Sequence, residues 1–359
     1  MKRFLLLGPA LLAILATGHA QIPVTREVSD SDTSKKIRIQ FPEGYLDYHG
    51  EAIEGDRTLK EKLFGLSFQR PPQTNGGWSL WNFLDVTLRV NGVPVPVVPN
   101  YLLESAEILE NESRLLIRFR WKPDDFDATL NVFLAWYPEQ PGWMFVKVEA
   151  QGAGASLQQV TLNAFPGNTA GPEERERWVA AGDIVQRLSN QKLELPANTT
   201  GFVFFNKLAQ QRDGCLLVSD KKNHTGGVLV SGGYGVSTEV TFDGEPTSAC
   251  FALGGFLEAS PEDVIRIFQM EGARNTQHIL ENITWEPKLD KQRNQILMQD
   301  IEQLLQDTAD ATAREQFETL KVSYQQNETA GTPTELLEVL SRLNELKQTL
   351  IARELAKLK

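Results

Sequence analysis

Between positions 37 and 268 apolar and polar residues alternate in short runs, each closed by a turn signal, which is the pattern of half-buried strands. The run 83–90 (FLDVTLRV) alternates cleanly, and Asn91-Gly92 then supplies a tight hairpin turn. The next stretch, Val93-Pro-Val-Pro-Val-Val-Pro, cannot be a central strand, because each proline lacks a ladder donor, but it suits a sheet edge. Runs 115–121 (LLIRFRW) and 128–136 (ATLNVFLAW) follow, and 143–148 (WMFVKV) opens after Pro141-Gly142. Later come 201–205, 215–219, 228–231, 236–242 and 250–256, with Asp213-Gly214 and Asp243-Gly244 as turn dipeptides. Together they predict a mainly β chain: a large antiparallel β-sandwich over 37–285, bigger than an immunoglobulin domain, preceded by a flexible segment 21–36. One helix interrupts it. Ser260 as cap, Pro261 at the first turn and Glu262-Asp263 behind it start a short helix to about position 270.

After Pro287 the period changes. From 289 to 324 there is no Gly or Pro, and Leu297, Ile301, Leu304, Thr308 and Ala311 recur at helical spacing. Gly331-Thr-Pro-Thr334 breaks the chain before a second helix, in which Leu336, Leu343 and Leu350 lie seven apart with Val339 and Leu346 between them. This heptad seam predicts a C-terminal α-helical hairpin, a short coiled coil, over 286–359. Its seam closes on itself, packs on the sandwich, or pairs with another copy to make a homo-oligomer through 289–359.

The start of the chain has the grammar of a signal peptide. Lys2 and Arg3 precede an apolar run over 4–16, and Gly18-His19-Ala20 places small residues at the positions a signal peptidase reads. The run, roughly 20 Å as a helix, is short for a ~30 Å hydrocarbon core. Cleavage after Ala20 and a periplasmic or extracellular location are expected, with no transmembrane segment afterwards. The net charge of −11 becomes two units more negative with the leader gone, and it is spread along the chain. That balance speaks for solubility and against nucleic acid, which needs a basic stripe.

The reactive residues are sparse. Cys215 and Cys250 each lie in an apolar strand-like run and either pair across neighbouring strands or remain two buried thiols; there is no CxxC. His49, His224 and His278 show no ligand spacing and no HExxH, so neither a motif-defined metal site nor a cofactor is expected. GxSxG is absent, and the glycines of 226–235 lack a phosphate-loop lysine and read as close strand turns. Asp124, Asp125 and Asp127 sit between two strands. Glu173, Glu174 and Glu176 interleave with Arg175 and Arg177 after a Gly/Pro-rich loop. Those carboxylates suit acid–base work on a sugar if the fold sets their separation, and the arginines suit a bidentate clamp on a uronate carboxylate; the alternative is a solvated face.

Aromatics complete the candidates. Trp81, Trp121, Trp136 and Trp143 lie in alternating runs and read as core, whereas Trp78, beside a Gly-Gly turn, and Trp178, closing the acidic cluster, are open to either role. An exposed indole can stack on a sugar ring while its N–H donates. Tyr45, Asp47, Tyr48 and His49 form a second polar-aromatic group, and a Tyr/His pair can serve as acid and base in β-elimination. Five Asn-x-Ser/Thr sites, at Asn111, Asn198, Asn223, Asn282 and Asn327, would carry glycans only in a eukaryote.

The stretch 78–148, with WSLWNFLDVTLRVNG, LLIRFRW, ATLNVFLAW and PGWMFVKVEA as successive strands, resembles the β-supersandwich of galactose-mutarotase-like, carbohydrate-associated secreted bacterial proteins. The family's catalytic His and Glu find no counterparts at identifiable positions. The resemblance implies a sugar-related role and leaves three readings. The first is an exported, non-catalytic sandwich binding a polysaccharide or oligosaccharide through Trp78, Trp178, Glu174, Arg175, Arg177, His49 and Tyr48. The second is a polysaccharide lyase or glycoside hydrolase with catalytic residues on the same loops. The third is an envelope scaffold working through its hairpin.

Overall fold

The computed structural model describes residues 22–31, 33–52, 59–68, 79–80, 83–140, 142–164, 177–181, 184–188, 192–195, 199, 201–206, 214–218, 228–232, 236–255, 273–286, 291–306, 310–330 and 333–357. They divide into two compact units, one running to Ile283 and the other starting at Thr284. The first is built of antiparallel strands and the second of helices.

Five strands form a simple meander: β1 (Thr25–Asp30), β2 (Ser34–Phe41), β3 (Gly44–Ala52), β4 (Leu59–Phe68) and β5 (Ser79–Leu80). The period-2 pattern explains them. In β2 and β3 every second residue is buried, so Ile37, Ile39, Leu46 and Tyr48 line one face. The expected flexible segment 21–36 is corrected here. Thr25–Asp30 pairs in full register with 35–40, because its backbone groups find partners on β2 although its side chains stay exposed.

The rest of the first unit's strands form two larger sheets. A six-stranded sheet holds β6 (Leu84–Val90), β7 (Val93–Val98), β12 (Ala155–Ala164), β15 (Leu193–Leu195), β18 (Val228–Gly232) and β19 (Val236–Thr241). Asn91 and Gly92, at φ 49° and 82°, make the left-handed turn from β6 into β7, and the prolines of β7 sit on the sheet edge as expected. A nine-stranded sheet runs β14 (Ile184–Arg187), β13 (Arg177–Ala181), β16 (Gly201–Asn206), β17 (Gly214–Val218), β20 (Ser248–Gly255), β11 (Trp143–Gln151), β10 (Thr129–Trp136), β9 (Leu115–Trp121) and β8 (Ser105–Asn111).

All three sheets feed one core. Phe64 of the meander packs against Phe83, Phe119 and Trp121, with ring centroids 4.6, 4.9 and 5.5 Å away. Each such contact adds about 1 kcal/mol beyond the area it buries. Trp121 and Trp136 are core residues, as their alternation predicts. Trp81 lies outside the described residues.

The cysteines do not bridge. Cys215 pairs in register with Gly254, while Cys250 lies four residues further along β20, about 13 Å of strand. A disulfide needs Cα atoms within roughly 7 Å. Cys250 accordingly keeps its thiol.

The first unit ends in α1 (Ala273–Asn282), which lies against β17 and β20. The helix expected over 260–270 lies outside the described residues. In the second unit the hairpin becomes three helices: α2 (Lys291–Gln306), α3 (Ala311–Ala330) and α4 (Pro333–Lys357). The single long helix expected over 289–324 is split in two. Asp310 caps the second piece by accepting the Ala313 N–H at 3.0 Å. The heptad seam closes internally, with Leu336, Val339, Leu343, Leu346 and Leu350 buried against Leu297, Ile301, Phe317 and Leu320. No described helix is long and apolar enough to cross a membrane.

Candidate functional site

The nine-stranded sheet has two differently built faces. Its inner face supplies Ile117, Phe119, Val132, Leu134, Val146 and Phe251 to the core. The other face is just as buried at Leu116, Ala135, Phe145 and Ala252, which is why β9 and β10 read as nearly continuous apolar runs. Against that background the polar residues of the second face stand out by position. Strand register lines up Glu107, Arg118, Phe133 and Lys147 across β8, β9, β10 and β11, and lines up Ser105, Arg120, Asn131 and Glu149 in the next row.

The rows are bound together by ion pairs. Arg118 Nη2 lies 2.7 Å from Glu107 Oε2, and the other oxygen of Glu107 accepts from Ser105 Oγ at 3.0 Å. Arg120 meets Glu104 at 3.0 Å, and Lys147 meets Glu149 at 2.8 Å. The Lys147 ammonium also stands 5.5 Å from the centre of the Phe133 ring, in cation–π range. Most of these groups are sunk rather than displayed: the Arg118 side chain keeps 5% of its surface exposed, Lys147 19% and Glu107 20%, whereas Glu104 is exposed. Asn131 is 3% exposed, and its Oδ1 has no hydrogen-bond partner among the described residues.

The apolar part of this face is fixed by a close approach. The Trp143 indole stacks on Phe145 at 6.4 Å and lies directly over Gly254, where a Cβ would fall 2.7 Å from the ring. Glycine is required there because only a bare backbone leaves room for the indole. Tyr137 meets Phe145 edge-on at 5.8 Å and is held by Arg114, itself paired with Glu110 at 2.9 Å.

The residues singled out from sequence do not converge here. Tyr48 is a core side chain: its hydroxyl accepts the Leu103 N–H at 2.8 Å, its ring meets Phe64 and Trp121, and burial pushes its pKa up to about 12. It is thereby withdrawn as a sugar contact and as half of a Tyr/His pair. His49, one residue on, points to the opposite side of β3, between Lys36 and Leu63 in register. Its Nε2 is sealed from solvent and has no hydrogen-bond partner among the described residues. Beside it Arg38 grips both carboxylate oxygens of Asp47, at 2.6 and 2.7 Å, and lies over the Tyr45 ring.

Trp178 is half-buried in β13, facing Arg187 and Phe205 in register. Five strand steps, about 24 Å, separate its strand from that of Asn131. Arg177 occupies the strand position opposite Asn206. Trp78, Glu174 and Arg175 lie outside the described residues. Asp124, Asp125 and Asp127 are exposed in the β9–β10 turn. Among the described residues no group of three His, Cys, Asp or Glu side chains stands ready to hold a metal ion.

The charged rows were missed although their signal was in the sequence. Arg118 and Arg120, Asn131, and Lys147 and Glu149 are polar residues spaced two apart in three successive strands whose other positions are almost all apolar. Such residues must share one face.

No protein-family model matches this sequence, and neither does any curated protein. Among solved structures the chain is similar to the family 36 α-galactosidase AgaA from Geobacillus stearothermophilus, at a TM-score of 0.37 and 8% identity, over 66% of this chain and 41% of that one. It is similar to heparinase III at 0.34 and 9%, over 67% of this chain and 37% of that one. It is also similar to the aldose epimerase homologue from C. elegans, at 0.33 and 11%, over 66% of this chain and all of that one. At these scores and identities the likenesses carry no argument for this chain's family, activity or ligand.

Proposed function

We propose that this chain works outside the cytoplasm as a carbohydrate-binding protein, without cleaving its ligand, and that the ligand lies on the polar rows of the nine-stranded sheet. One observation carries the reading: charged and amide side chains are held half-covered on the face turned away from the core. Withdrawing such groups from water costs free energy that solubility alone does not require. A sugar offers hydroxyls that both donate and accept, and the rows offer matching partners in Arg118, Glu107, Lys147, Glu149 and Asn131, with Phe133 as apolar surface among them. Each of the two carboxylates in these rows is already committed to a cation, which suits hydrogen bonding better than proton transfer. The export part of the reading rests on Lys2-Arg3 and the apolar run that follows them.

A glycan array with the leaderless chain tests the binding. Hits that disappear in Lys147→Ala and Arg120→Ala, with both variants still folded at the assay temperature, are expected. The absence of hits, or hits indifferent to both substitutions, overturns the assignment. Cell fractionation tests the location, and retention of the precursor in the cytoplasm overturns that part.

A further inference from the structure

We infer that the ligand of this face is a neutral glycan, and that Asn131 selects it by accepting a hydrogen bond from one of its hydroxyls. The inference rests on the reading above that this face binds carbohydrate.

Two observations lead to it. The first is charge. Arg118, Arg120 and Lys147 each have a carboxylate within 3.0 Å, from Glu107, Glu104 and Glu149. Together with Glu104, just ahead of β8, the rows therefore present three cations and three anions already paired. A uronate, sulfate or phosphate placed here would have to break one of those pairs or bring a fourth anion into a half-covered surface, and both are unfavourable. A neutral ligand disturbs none of them. Repulsion of the anionic alternative is itself a specificity device.

The second observation is the open acceptor. Asn131 stands between Arg120 and Glu149 in register, on the same face as the rows, and is almost wholly buried. Its Oδ1 lacks a donor among the described residues, in an interior where nearly every buried polar atom has one. Its two register neighbours are long side chains engaged elsewhere, Arg120 with Glu104 and Glu149 with Lys147. A donor from outside the chain satisfies the amide oxygen, and a sugar hydroxyl is such a donor without net charge.

The test compares binding to neutral β-glucan and galactan, to polygalacturonate and to heparin, by titration calorimetry at low and high salt, for the native chain and three variants. Neutral polymers are expected to bind with little salt dependence, and the acidic ones not to bind. Asn131→Leu removes the acceptor at nearly constant volume. It should weaken neutral-glycan binding about tenfold, the worth of one buried hydrogen bond, while leaving the unliganded thermal midpoint unchanged or raised, because an unsatisfied polar atom has been removed. A merely structural Asn131 would lower that midpoint. Asn131→Thr keeps a neutral side-chain oxygen acceptor and should retain more of the neutral-glycan binding than Asn131→Leu. Loss of binding in Asn131→Thr equal to that in Asn131→Leu overturns the acceptor assignment. Binding of the acidic polymers alone, weakened by Lys147→Ala, overturns the neutral-ligand inference and leaves the carbohydrate face standing. Binding of none of the four polymers, or binding untouched by any of these substitutions, removes the face itself.

Discussion

Arg118 and Glu107 face each other across β8 and β9, guanidinium to carboxylate at 2.7 Å, with the arginine side chain almost completely sealed. Glu107→Ala would take this carboxylate away from a sealed cation, which for a buried pair costs about 3 kcal/mol. The paired replacement Arg118→Met with Glu107→Leu should recover most of the loss, because both charges then leave together. Urea unfolding midpoints measure both. A single-variant loss below about 1 kcal/mol, the range of solvent-exposed pairs, would contradict the buried placement.

Tyr48 predicts a loss of stability confined to high pH. Its hydroxyl is pushed up to about 12 by burial, against about 10 in the unfolded chain. A raised folded value means that the stabilisation is complete below pH 10 and drains away as pH rises from 10 towards 12, by about 2–3 kcal/mol. Tyr48→Phe leaves the Leu103 N–H without its acceptor and should cost about 1–3 kcal/mol at neutral pH. The gap between native chain and variant should then close above pH 10. Parallel denaturation series from pH 7 to 12 read the difference directly, and a constant gap would reject the assignment.

Asp85 predicts the reverse kind of change. It lies in β6, opposite Thr161, with Asn163 Nδ2 3.5 Å away, and burial raises its carboxyl above the usual range. The raised value favours the folded state only while the group is protonated, and that benefit is lost as pH rises through the folded value. At neutral pH the ionised carboxylate therefore opposes folding. Asp85→Asn keeps the size and the contact with Asn163, so it should stabilise at pH 7 and lose its advantage below about pH 4. Thermal midpoints at both pH values decide, and a destabilised variant at pH 7 would contradict the sign.

Leu343 sits fully buried at the centre of the helical unit. Leu343→Ala should cost that unit about 2–5 kcal/mol through lost contacts and the cavity left behind. Because the seam is spent inside one chain, the size of the protein by light scattering should stay the same in the variant. A change in size would show that the seam leucines also engage a second copy.

Alternation was legible from single strands because it needs only period-2 side-chain geometry. It delivered the mainly β architecture, the Asn91-Gly92 hairpin and the proline-bearing edge strand before any contact was known. The candidate site was hardly legible. Tyr48 and His49 looked like one group because they are adjacent in sequence, yet adjacency within a strand sends them to opposite faces. Arg118, Asn131 and Lys147 looked like isolated polar residues in apolar runs, and only pairing made them neighbours.

The division has a physical basis. Turn chemistry, strand period and heptad spacing are local properties, so the chain determined by itself that it would make antiparallel strands and then helices with an apolar stripe. Register and face are decided by burial summed over several strands, since a slip of one residue would exchange the core for the solvent side. The tertiary structure therefore decided which charges met, that Asn131 would be buried without a donor to its amide oxygen among the described residues, that Cys215 and Cys250 would lie apart, and that the long helix would break at Asp310.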